Sequence, residues 1–429
     1  MAMIKEATRT KYAKLVESDY AGLPAVTNPV MQNAIYQVIE NTTKELNEAT
    51  TDTVNVAQYT PVLISLIRRT LPTLVGPQIV GLQPLALPTG RIFVQHVWAD
   101  KAGDGTSTTE VWGNGTVGTA DAIGAAPDAT VSGPYTTADG EDLGWTSVMQ
   151  NNGTAVNENV VSIGENYPEM SFTIDAVDVS VKTRALRGKI TVEIIQDLKA
   201  VHGLDAEQEI ANILQTELTA EIDREIVTRI YAEAKTGAQN CSTPGVFDFS
   251  SDGNGRWSME QIIGLLVQIE REATIIAQET RRGRGNFIIT SPELAAYLSM
   301  ANMVTNEYKA VGFTEAVNPV GVSYYGTLAN RFKVFVDPYL SGTSNQSGQM
   351  QHALIVGYKG TNEYDSGMFY CPYVPLQLFK AVNSEDFGSR LGVKSRYGLI
   401  SNPYYLAANS QNATAKTNSF FRKLLVVVD

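Results

Sequence analysis

Three histidines are the residues of this sequence best suited to metal binding or to proton transfer at neutral pH. They are His96, His202 and His352. Metal-binding motifs place histidines or cysteines a few residues apart on one element, whereas these three are scattered along the chain. A lone histidine on a strand or at a helix end is more often structural. We therefore expect no metal site and no cofactor.

A glycine-rich stretch, GNGTVG at 113–118, matches the fingerprint G-x-G-x-x-G. That motif holds a dinucleotide phosphate only where it joins a strand to a helix. The residues that follow are small and lead to Pro127, so the required helix is missing, and a hairpin or loop is favoured. Neither a P-loop nor a G-x-S-x-G nucleophile motif occurs in the sequence.

The arginines of RRGRG, Arg281, Arg282 and Arg284, could bind phosphate or an acidic partner, because a guanidinium pairs with planar oxyanions. The same stretch also suits a helix C-terminus, where positive charge complements the helix dipole and Gly283 would supply a left-handed cap. We favour the helix end. The three arginines remain candidate contacts with a neighbouring subunit.

Two acidic pairs, Glu207 with Glu209 and Glu363 with Asp365, have the residue type needed for general acid and base catalysis. The first pair falls at the start of a predicted helix and the second in a turn-rich loop. We expect both at the solvated surface. A hydrolase built from carboxylates far apart in the sequence stays open, although no motif indicates one.

Composition indicates a folded, loop-rich protein that forms either two or three packed units or one core with large excursions. The 429 residues are 43% hydrophobic and 18% charged, with 35 glycines. Lys and Arg number 33 against 45 Asp and Glu, and 33 − 45 gives a net charge of −12, which disfavours a dedicated nucleic-acid binder. Cys241 and Cys371 are too few for a disulfide framework, so we expect two buried thiols.

Targeting signals are not evident. The first twenty residues carry charges throughout and contain no apolar core of a secretory signal. No apolar run approaches the roughly 18 residues of a membrane helix. The sequence therefore favours a protein made and kept in a cytoplasm, or in a particle assembled there, with no membrane partner.

The clearest helix is predicted over 205–236, with Asp205 as N-cap and a long i+4 ladder of apolar residues. At about 30 residues it would be about 45 Å long. Glu217, Glu221, Glu225 and Arg229 fall on its other side, which we expect to be solvated. The ladder consists of Ile210, Leu214, Leu218, Ile222, Ile226 and Ile230.

Other helices are predicted from caps and periodicity. One follows Asn28-Pro29 with an apolar stripe to Ile39, and a short one follows Thr60-Pro61 and stops before Pro72. Another runs from Ser258 to Gly283, and the last starts at Ser291-Pro292.

Strands are predicted at RIFVQHVW, VDVSVKTR, NFIIT, RFKVFVDPY, HALIVGYKG, SRYGLI and KLLVVVD. Residues 103–166 are rich in Gly, Ala, Thr, Asp and Asn with little periodicity, and they indicate a long excursion or a small inserted β-rich domain. Runs of helices and runs of strands, without regular βαβ alternation, predict an α+β fold.

Several stretches, in order along the chain, resemble the major capsid proteins of T-even-type tailed phages. They include LIRRTLPTLVGPQIVGLQPLALPTGRIF (66–93), QDLKAVHGLDAEQEIANIL (196–214), GRGNFIIT (283–290), GYKGTNEYDSGMFYCPYVPL (from 357), RYGLISNP (396–403) and FFRKLLVVVD. The likeness covers most of the chain outside the N-terminal arm and 103–166. An ordered series of this length is far more specific than any short motif.

The resemblance implies the HK ninety-seven-like capsid fold. It divides the chain into an N-terminal arm (1–60), the start of the P-domain and E-loop (61–102), an E-loop insertion (103–166), the E-loop return with the P-domain spine helix (167–254), the A-domain (255–385) and returning P-domain strands (386–429). The insertion is shorter than in T-even-type relatives and differs from theirs in composition.

The function implied by the resemblance is that of a structural subunit, not an enzyme, which assembles into the icosahedral head around double-stranded DNA. Its expected partners are copies of itself in hexamers or pentamers, with scaffold, portal and vertex or decoration proteins, and only non-specific contact with DNA. The alternatives are a capsid vertex protein or an encapsulin-type shell protein on the same fold. Glycan binding by 103–166 also stays open.

The resemblance also implies two sites where a prohead protease could cut. Family members are commonly trimmed after Glu in an [LI]-x-E context, and Leu15-Val16-Glu17 and Leu46-Asn47-Glu48 both match. Because such tripeptides are frequent by chance, we expect cleavage after Glu17 and Glu48 not to be used.

Overall fold

A computed structural model describes residues 13, 16–17, 29–49, 74–100, 108–112, 169–203, 205–253, 258–300, 304–305, 322–340, 343–344, 350–362, 365–382, 388–403 and 416–428. The chain divides into two compact units. The larger comprises Met1–Arg91, Asp178–Ala277 and Arg282–Asp429, and the smaller comprises Ile92–Val177 and Gln278–Arg281.

The described helices and strands form an α+β fold, as predicted. The helices are α1 Pro29–Ala49, α2 Gly76–Ile79, α3 Val192–Val201, α4 Ala206–Glu233, α5 Ser258–Thr280 and α6 Pro292–Met300. The strands are β1 Gly81–Leu82, β2 Thr89–Asp100, β3 Thr108–Trp112, β4 Glu169–Ser180, β5 Lys182–Lys189, β6 Ala234–Thr236, β7 Val246–Asp248, β8 Phe287–Thr290, β9 Val304–Thr305, β10 Ser323–Leu328, β11 Phe332–Val336, β12 Thr343–Ser344, β13 Met350–Gly357, β14 Met368–Val382, β15 Ser389–Ser401 and β16 Asn418–Val428.

The long helix α4 is the predicted spine. Asp205 caps it, because its side chain accepts a hydrogen bond from the Glu207 backbone N–H at 3.1 Å. Leu218 and Ile230 of the apolar ladder are fully buried. The helix ends at Glu233 rather than at 236, since residues 234–236 leave it to form β6. Its 28 residues correspond to a length of about 42 Å.

One face of α4 packs on a four-stranded sheet of order β1-β14-β15-β5. β14 and β15 are antiparallel, as are β15 and β5. Side chains alternate between the two faces of a strand, so the inner residues of β15 meet the helix. The buried contacts include Leu214 and Leu218 of the helix with Leu376, Leu391 and Val393 of the sheet.

The second large sheet has the order β6-β16-β13-β8-β11-β10-β9, with β12 beside β13 and β7 beside β16. Helices α5 and α6 pack on one face, where Ile269 and Leu298 meet Ile288, Val334 and Leu424. Residues of the other face, among them Phe287, Phe335 and Phe421, join the same buried cluster as Ile226 of α4. Burial on both faces explains the continuous apolar runs of these strands.

The smaller unit contains most of a three-stranded sheet of order β3-β2-β4. The predicted strand RIFVQHVW lies within β2, and β3 is the part of the 103–166 excursion that the structure describes. The predicted strand VDVSVKTR is divided between β4 and β5 at Val181. The GNGTVG motif, the helix after Thr60-Pro61 and His96's side chain lie outside the described residues.

The end predicted for α5 is wrong in its detail. The helix ends at Thr280, and Arg281 (φ 53°) takes the left-handed conformation that we expected of Gly283. Gly283 serves a different purpose, because a Cβ there would lie 2.5 Å from the Tyr358 ring. The glycine therefore permits a close approach between the chain and an aromatic ring.

Candidate assembly surface

The polar side of the spine helix is only partly the solvated face that we expected: Glu217 is exposed, but Glu221, Glu225 and Arg229 are half-buried. Arg184 of β5 donates to Glu221 at 2.9 Å and to Glu225 at 2.6 Å. The Tyr397 hydroxyl also donates to Glu225 at 2.6 Å, and Arg229 donates to the Leu399 carbonyl at 3.1 Å. These half-buried contacts fix the helix to the sheet, beside a cavity of about 170 Å³. These contacts therefore hold the helix on the sheet, and the charged groups of Glu221, Glu225 and Arg229 are already bound within the chain.

The N-terminal end of α4 is also bound to the sheet. Glu207 accepts hydrogen bonds from Lys380 and, at 2.6 Å, from the Ser389 hydroxyl. The hydrogen bond from Lys380 holds the pKa of the Glu207 carboxyl below its usual value. Our expectation of a solvated carboxylate is thus wrong for Glu207, whereas Glu209 is exposed.

Asp365 is also engaged rather than solvated. It accepts hydrogen bonds from the Tyr358 hydroxyl at 2.8 Å and from Arg282 at 3.2 Å. Burial and the neighbouring Asp365 raise the pKa of Tyr358 to about 12, so its hydroxyl stays protonated. Glu363, its predicted companion, lies outside the described residues.

The candidate arginines are exposed, but two of them already have partners within the chain. Arg282 pairs with Asp365, and Arg284 donates to the Thr274 hydroxyl at 2.6 Å and lies 3.5 Å from Glu270. Glu270 is shared with Arg331. Any contact that Arg282 or Arg284 makes with a neighbour must therefore add to, or replace, these surface ion pairs.

The predicted cleavage position Glu17 lies beside a buried residue. Val16 is fully buried in the core around α4, and the Tyr36 hydroxyl donates to Glu17 at 3.1 Å. Glu48 belongs to α1, and its side chain is outside the described part of the chain. A protease would need the segment around Val16 to leave the core before it could cut after Glu17.

A buried carboxylate, Asp223, links the spine helix to the segment that leads into α2. It accepts hydrogen bonds from the backbone N–H groups of Val75 at 3.3 Å and Gly76 at 3.0 Å. Burial raises the pKa of Asp223 to about 7, with a further contribution from the charge of Asp337. A Cβ at Gly76 would lie 2.5 Å from Ile226, so the glycine lets the two helices touch.

A buried ion pair joins α5 to β16. Glu272 is fully buried and accepts from Arg422 at 3.0 Å, from the Ala238 backbone N–H at 2.7 Å and from Gln268 at 2.8 Å. The pair fixes the helix on the sheet.

Several large apolar side chains remain on the surface of the larger unit. α3 has no buried residue, and its Val201 is 73% exposed. Ile213 of α4 and Val267 of α5 are each 63% exposed. In the smaller unit, Phe172 and Ile174 lie on the same side of β4 and are similarly exposed. Such side chains are candidates for burial against a partner, although single exposed apolar residues are also common on protein surfaces.

No catalytic constellation appears among the described residues. His352 is buried between the Ser291 hydroxyl (3.2 Å) and Glu293 (3.0 Å) at the start of α6, a structural position. Within those same residues no group of His, Cys, Asp and Glu could hold a metal ion. None of the helices in this part of the chain combines the length and hydrophobicity of a membrane span.

The two thiols differ in burial. Cys371 is buried, as predicted, but Cys241 is only half-buried. Burial raises the pKa of Cys241 to about 11 and that of Cys371 to about 12. Both side chains are therefore protonated at neutral pH.

Comparison with known proteins identifies the family. The family model described as major capsid protein Gp23 matches residues 56–426. The chain belongs to this major capsid protein family. It is 29% identical to the major capsid protein of Vibrio phage KVP40 over 97% of this chain and 98% of that protein. It is 31% identical to that of Enterobacteria phage T4 over 81% of this chain and 76% of that protein. The chain is thus a structural protein of the phage head, located in the virion capsid.

Membership of the family assigns the chain the HK ninety-seven-like capsid fold expected from the sequence. The alignment with the KVP40 protein spans 521 positions against 429 residues here, so that relative has residues without a counterpart in this chain. The capsid vertex protein of phage T4 is also similar, at 26% identity, but only over 56% of this chain and 55% of that protein. The vertex-protein alternative is therefore not favoured.

The sequence did not predict the ion pairs that Arg184 forms with Glu221 and Glu225. An i+4 acidic row on a helix has the same pattern whether it faces water or a basic strand, so Glu221 and Glu225 gave no sign of Arg184. The sequence does contain one signal for these ion pairs. Arg184 alternates with small and apolar residues in a predicted strand that lies next to the helix in the sequence.

Proposed function

We propose that the chain is the repeating subunit of an icosahedral head shell around double-stranded DNA. Copies form hexamers and, where no separate vertex protein takes that place, pentamers. The observation that supports this most strongly is the alignment with a major capsid protein over nearly the full length of both chains. An encapsulin-type shell on the same fold is the second candidate, but no described feature favours it.

The proposed role involves no catalysis. Shell stability would come from many repeated interfaces, each modest, whose energies add over the lattice. In support, the carboxylates with the most specific contacts, Glu225, Glu272 and Asp223, all bind groups that hold the fold together. Turnover of any substrate at a rate dependent on one of these carboxylates would contradict the proposal.

The exposed apolar side chains are the proposed contacts between copies, with Arg281, Arg282 and Arg284 as additional polar contacts. Val267 offers the sharpest test, because it is 63% exposed and its replacement leaves the core intact. Val267→Asp should weaken assembly without changing the thermal unfolding of the unassembled chain. Thr228→Asp is a matched control, since Thr228 is an exposed helical position without an apolar side chain.

We also propose that the folded chain is not cut after Glu17. The buried Val16 and the hydrogen bond from Tyr36 support this. Intact mass measurement on assembled particles tests it, and a mass lacking the first 17 residues would refute it. Cleavage after Glu48 would give a different mass and can be scored in the same spectrum.

Scaffold, portal, and vertex or decoration proteins are the proposed partners, with packaged DNA contacted only non-specifically. The first experiment is negative-stain microscopy with sedimentation on the purified chain, alone and with its scaffold protein. Closed shells or hexamer sheets are expected. A stable monomer under both conditions would contradict the proposed function.

A further inference from the structure

The outer face of α5 carries an ordered series of residue types. Steps of three and four residues keep five of its residues on one side of the helix, and we call them the α5 stripe. They are Glu260, Ile263, Gly264, Val267 and Arg271. Ile263 is 46% exposed and Val267 is 63% exposed. The stripe is therefore acidic at its N-terminal end, apolar in the middle and basic at its C-terminal end.

A trough of about 510 Å³ runs along the α5 stripe, and all five residues of the stripe line it. Its other wall is formed by β7 and the loops on either side of that strand, with Cys241, Phe247 and Asp252. A cavity of this size is within the range of pockets that take small ligands. It therefore has room for aliphatic side chains from a partner.

Two polar side chains that line the trough already have partners within the chain. Asp252 accepts hydrogen bonds from the Ser242 N–H at 2.9 Å and from the Ser242 hydroxyl at 2.8 Å. Gln268 exchanges hydrogen bonds of 3.2 Å with Asn240 and donates a third to Glu272 at 2.8 Å. A small polar ligand needs several convergent polar groups that are free to bind it. An apolar partner needs only the space and the exposed side chains.

The helix that presents the stripe is rigidly held. Ile269 is buried against the nine-stranded sheet, and the buried ion pair between Glu272 and Arg422 also fixes α5 there. A glycine inside a helix destabilises it relative to alanine. At the centre of the stripe, however, Gly264 leaves a gap between side chains, so a second helix can approach closely at that point.

The order of charges along the stripe is complementary to itself. Glu260 and Arg271 lie 11 positions apart (271 − 260), which is roughly 16 Å along a helix, so they are too distant to pair with each other in one copy. In two antiparallel copies of α5, the acidic end of each stripe faces the basic end of the other. The same alignment sets Val267 of each copy over Gly264 of the other, because both pairs of residues are centred on the same point of the helix. A parallel pair would set like charges against each other.

We infer that two copies of this chain associate through their α5 stripes, with the helices antiparallel and related by a two-fold axis. In such an isologous contact, Ile263 and Val267 of each copy enter the trough of the other, and Glu260 meets Arg271 twice. One pair of helices is smaller than a standard stable interface, so the association alone is weak. The inference specifies the contact proposed above for Val267 and in that respect rests on the proposed function. It needs only two copies, however, and can be measured without a shell.

Sedimentation velocity over a dilution series of the unassembled chain measures the pairing, and the wild type should show a monomer–dimer equilibrium. Glu260→Arg and Arg271→Glu should each weaken dimerisation roughly tenfold, because each sets like charges opposite each other at two places. Lys199→Glu is the matched control, since Lys199 is an exposed cation of another helix, α3. It should change dimerisation less than twofold. Thermal unfolding checks that each variant folds.

Mixing the variants separates a contact between copies from one within a copy. In a mixed dimer of Glu260→Arg with Arg271→Glu, each acidic end again faces a basic end, so an equimolar mixture should dimerise about as tightly as the wild type. Both changes in one chain should also restore dimerisation, which a parallel arrangement would not allow. Val267→Asp, which removes an apolar contact instead of a charge, should prevent dimerisation in every combination.

The outcomes for the inference and for the proposed function are distinguishable. A wild type that forms shells but shows no dimer in the dilution series would overturn the inference alone. Single-variant effects no larger than that of Lys199→Glu would overturn it too, as would failure of the mixture and of the double variant to recover. Dimers that obey the charge exchange but never form shells, even with the scaffold protein, would support the inference and contradict the proposed function.

Discussion

Replacing Asp223 with asparagine should change how the stability of the unassembled chain depends on pH. The carboxyl is buried, and its folded-state pKa is about 7 against an ordinary value of 3.8. At 1.36 kcal/mol for each pH unit, that difference corresponds to about 4 kcal/mol. Burial disfavours the charged form, so the folded chain holds this proton more tightly than the unfolded chain does.

The direction of the pH dependence follows from this preference of the folded chain for the protonated carboxyl. Stabilisation from Asp223 is complete below about pH 4 and is lost as the pH rises through about 7. The charged groups around it act in known directions: burial also raises the pKa of Asp337, and Arg224 opposes that rise. The free energy of unfolding of the wild type should therefore fall between pH 4.5 and 7.5.

Asp223→Asn should flatten this profile, because an amide has no proton to lose and its carbonyl can still accept a hydrogen bond from the Gly76 N–H. The stability difference between wild type and variant should change by roughly 2–4 kcal/mol across the range, with the variant at least as stable at pH 8. Urea unfolding followed by tryptophan fluorescence measures it. Glu209→Gln, an exposed change on the same helix, is the control and should follow the wild type. Parallel curves for Asp223→Asn and wild type would refute the reasoning.

Two further predictions concern packing in the larger unit. Arg422→Met should lower the free energy of unfolding by about 3–5 kcal/mol, because it leaves the buried Glu272 carboxylate without its cation. Arg422→Met combined with Glu272→Met should lower it by less than the single change does. Urea unfolding of both variants measures the difference. Gly283→Ala should lower the free energy of unfolding by about 1–3 kcal/mol, because the Cβ of the alanine would meet the Tyr358 ring. Gly392→Ala, where space is open, should leave the melting temperature unchanged, and equal losses at the two glycines would contradict the account.

Elements with strong local signals could be predicted from the sequence. The Asp205 cap and the apolar ladder gave α4, and Ser291-Pro292 gave α6, where the Leu294 N–H indeed binds the Ser291 hydroxyl at 3.3 Å. These features depend on residues that are close together in the sequence, so they can be predicted from it. The resemblance to a family added function, which no local pattern could provide.

What the sequence could not provide was which surface each charged side chain meets. The partners Arg184 and Glu225 are 41 residues apart, and Arg422 and Glu272 are 150 apart. Such pairs exist only once the sheets have formed. The same limit explains the error at Gly283, since the ring that demands a glycine comes from Tyr358, a residue distant in the chain.

The position of β16 in the nine-stranded sheet has a consequence for biosynthesis. It is the last strand in chain order, yet it lies between β13 on one side and β6 and β7 on the other. During translation the facing edges of those strands have no partner until residues 418–428 emerge from the ribosome. The nine-stranded sheet is therefore completed only after β16 has been synthesised.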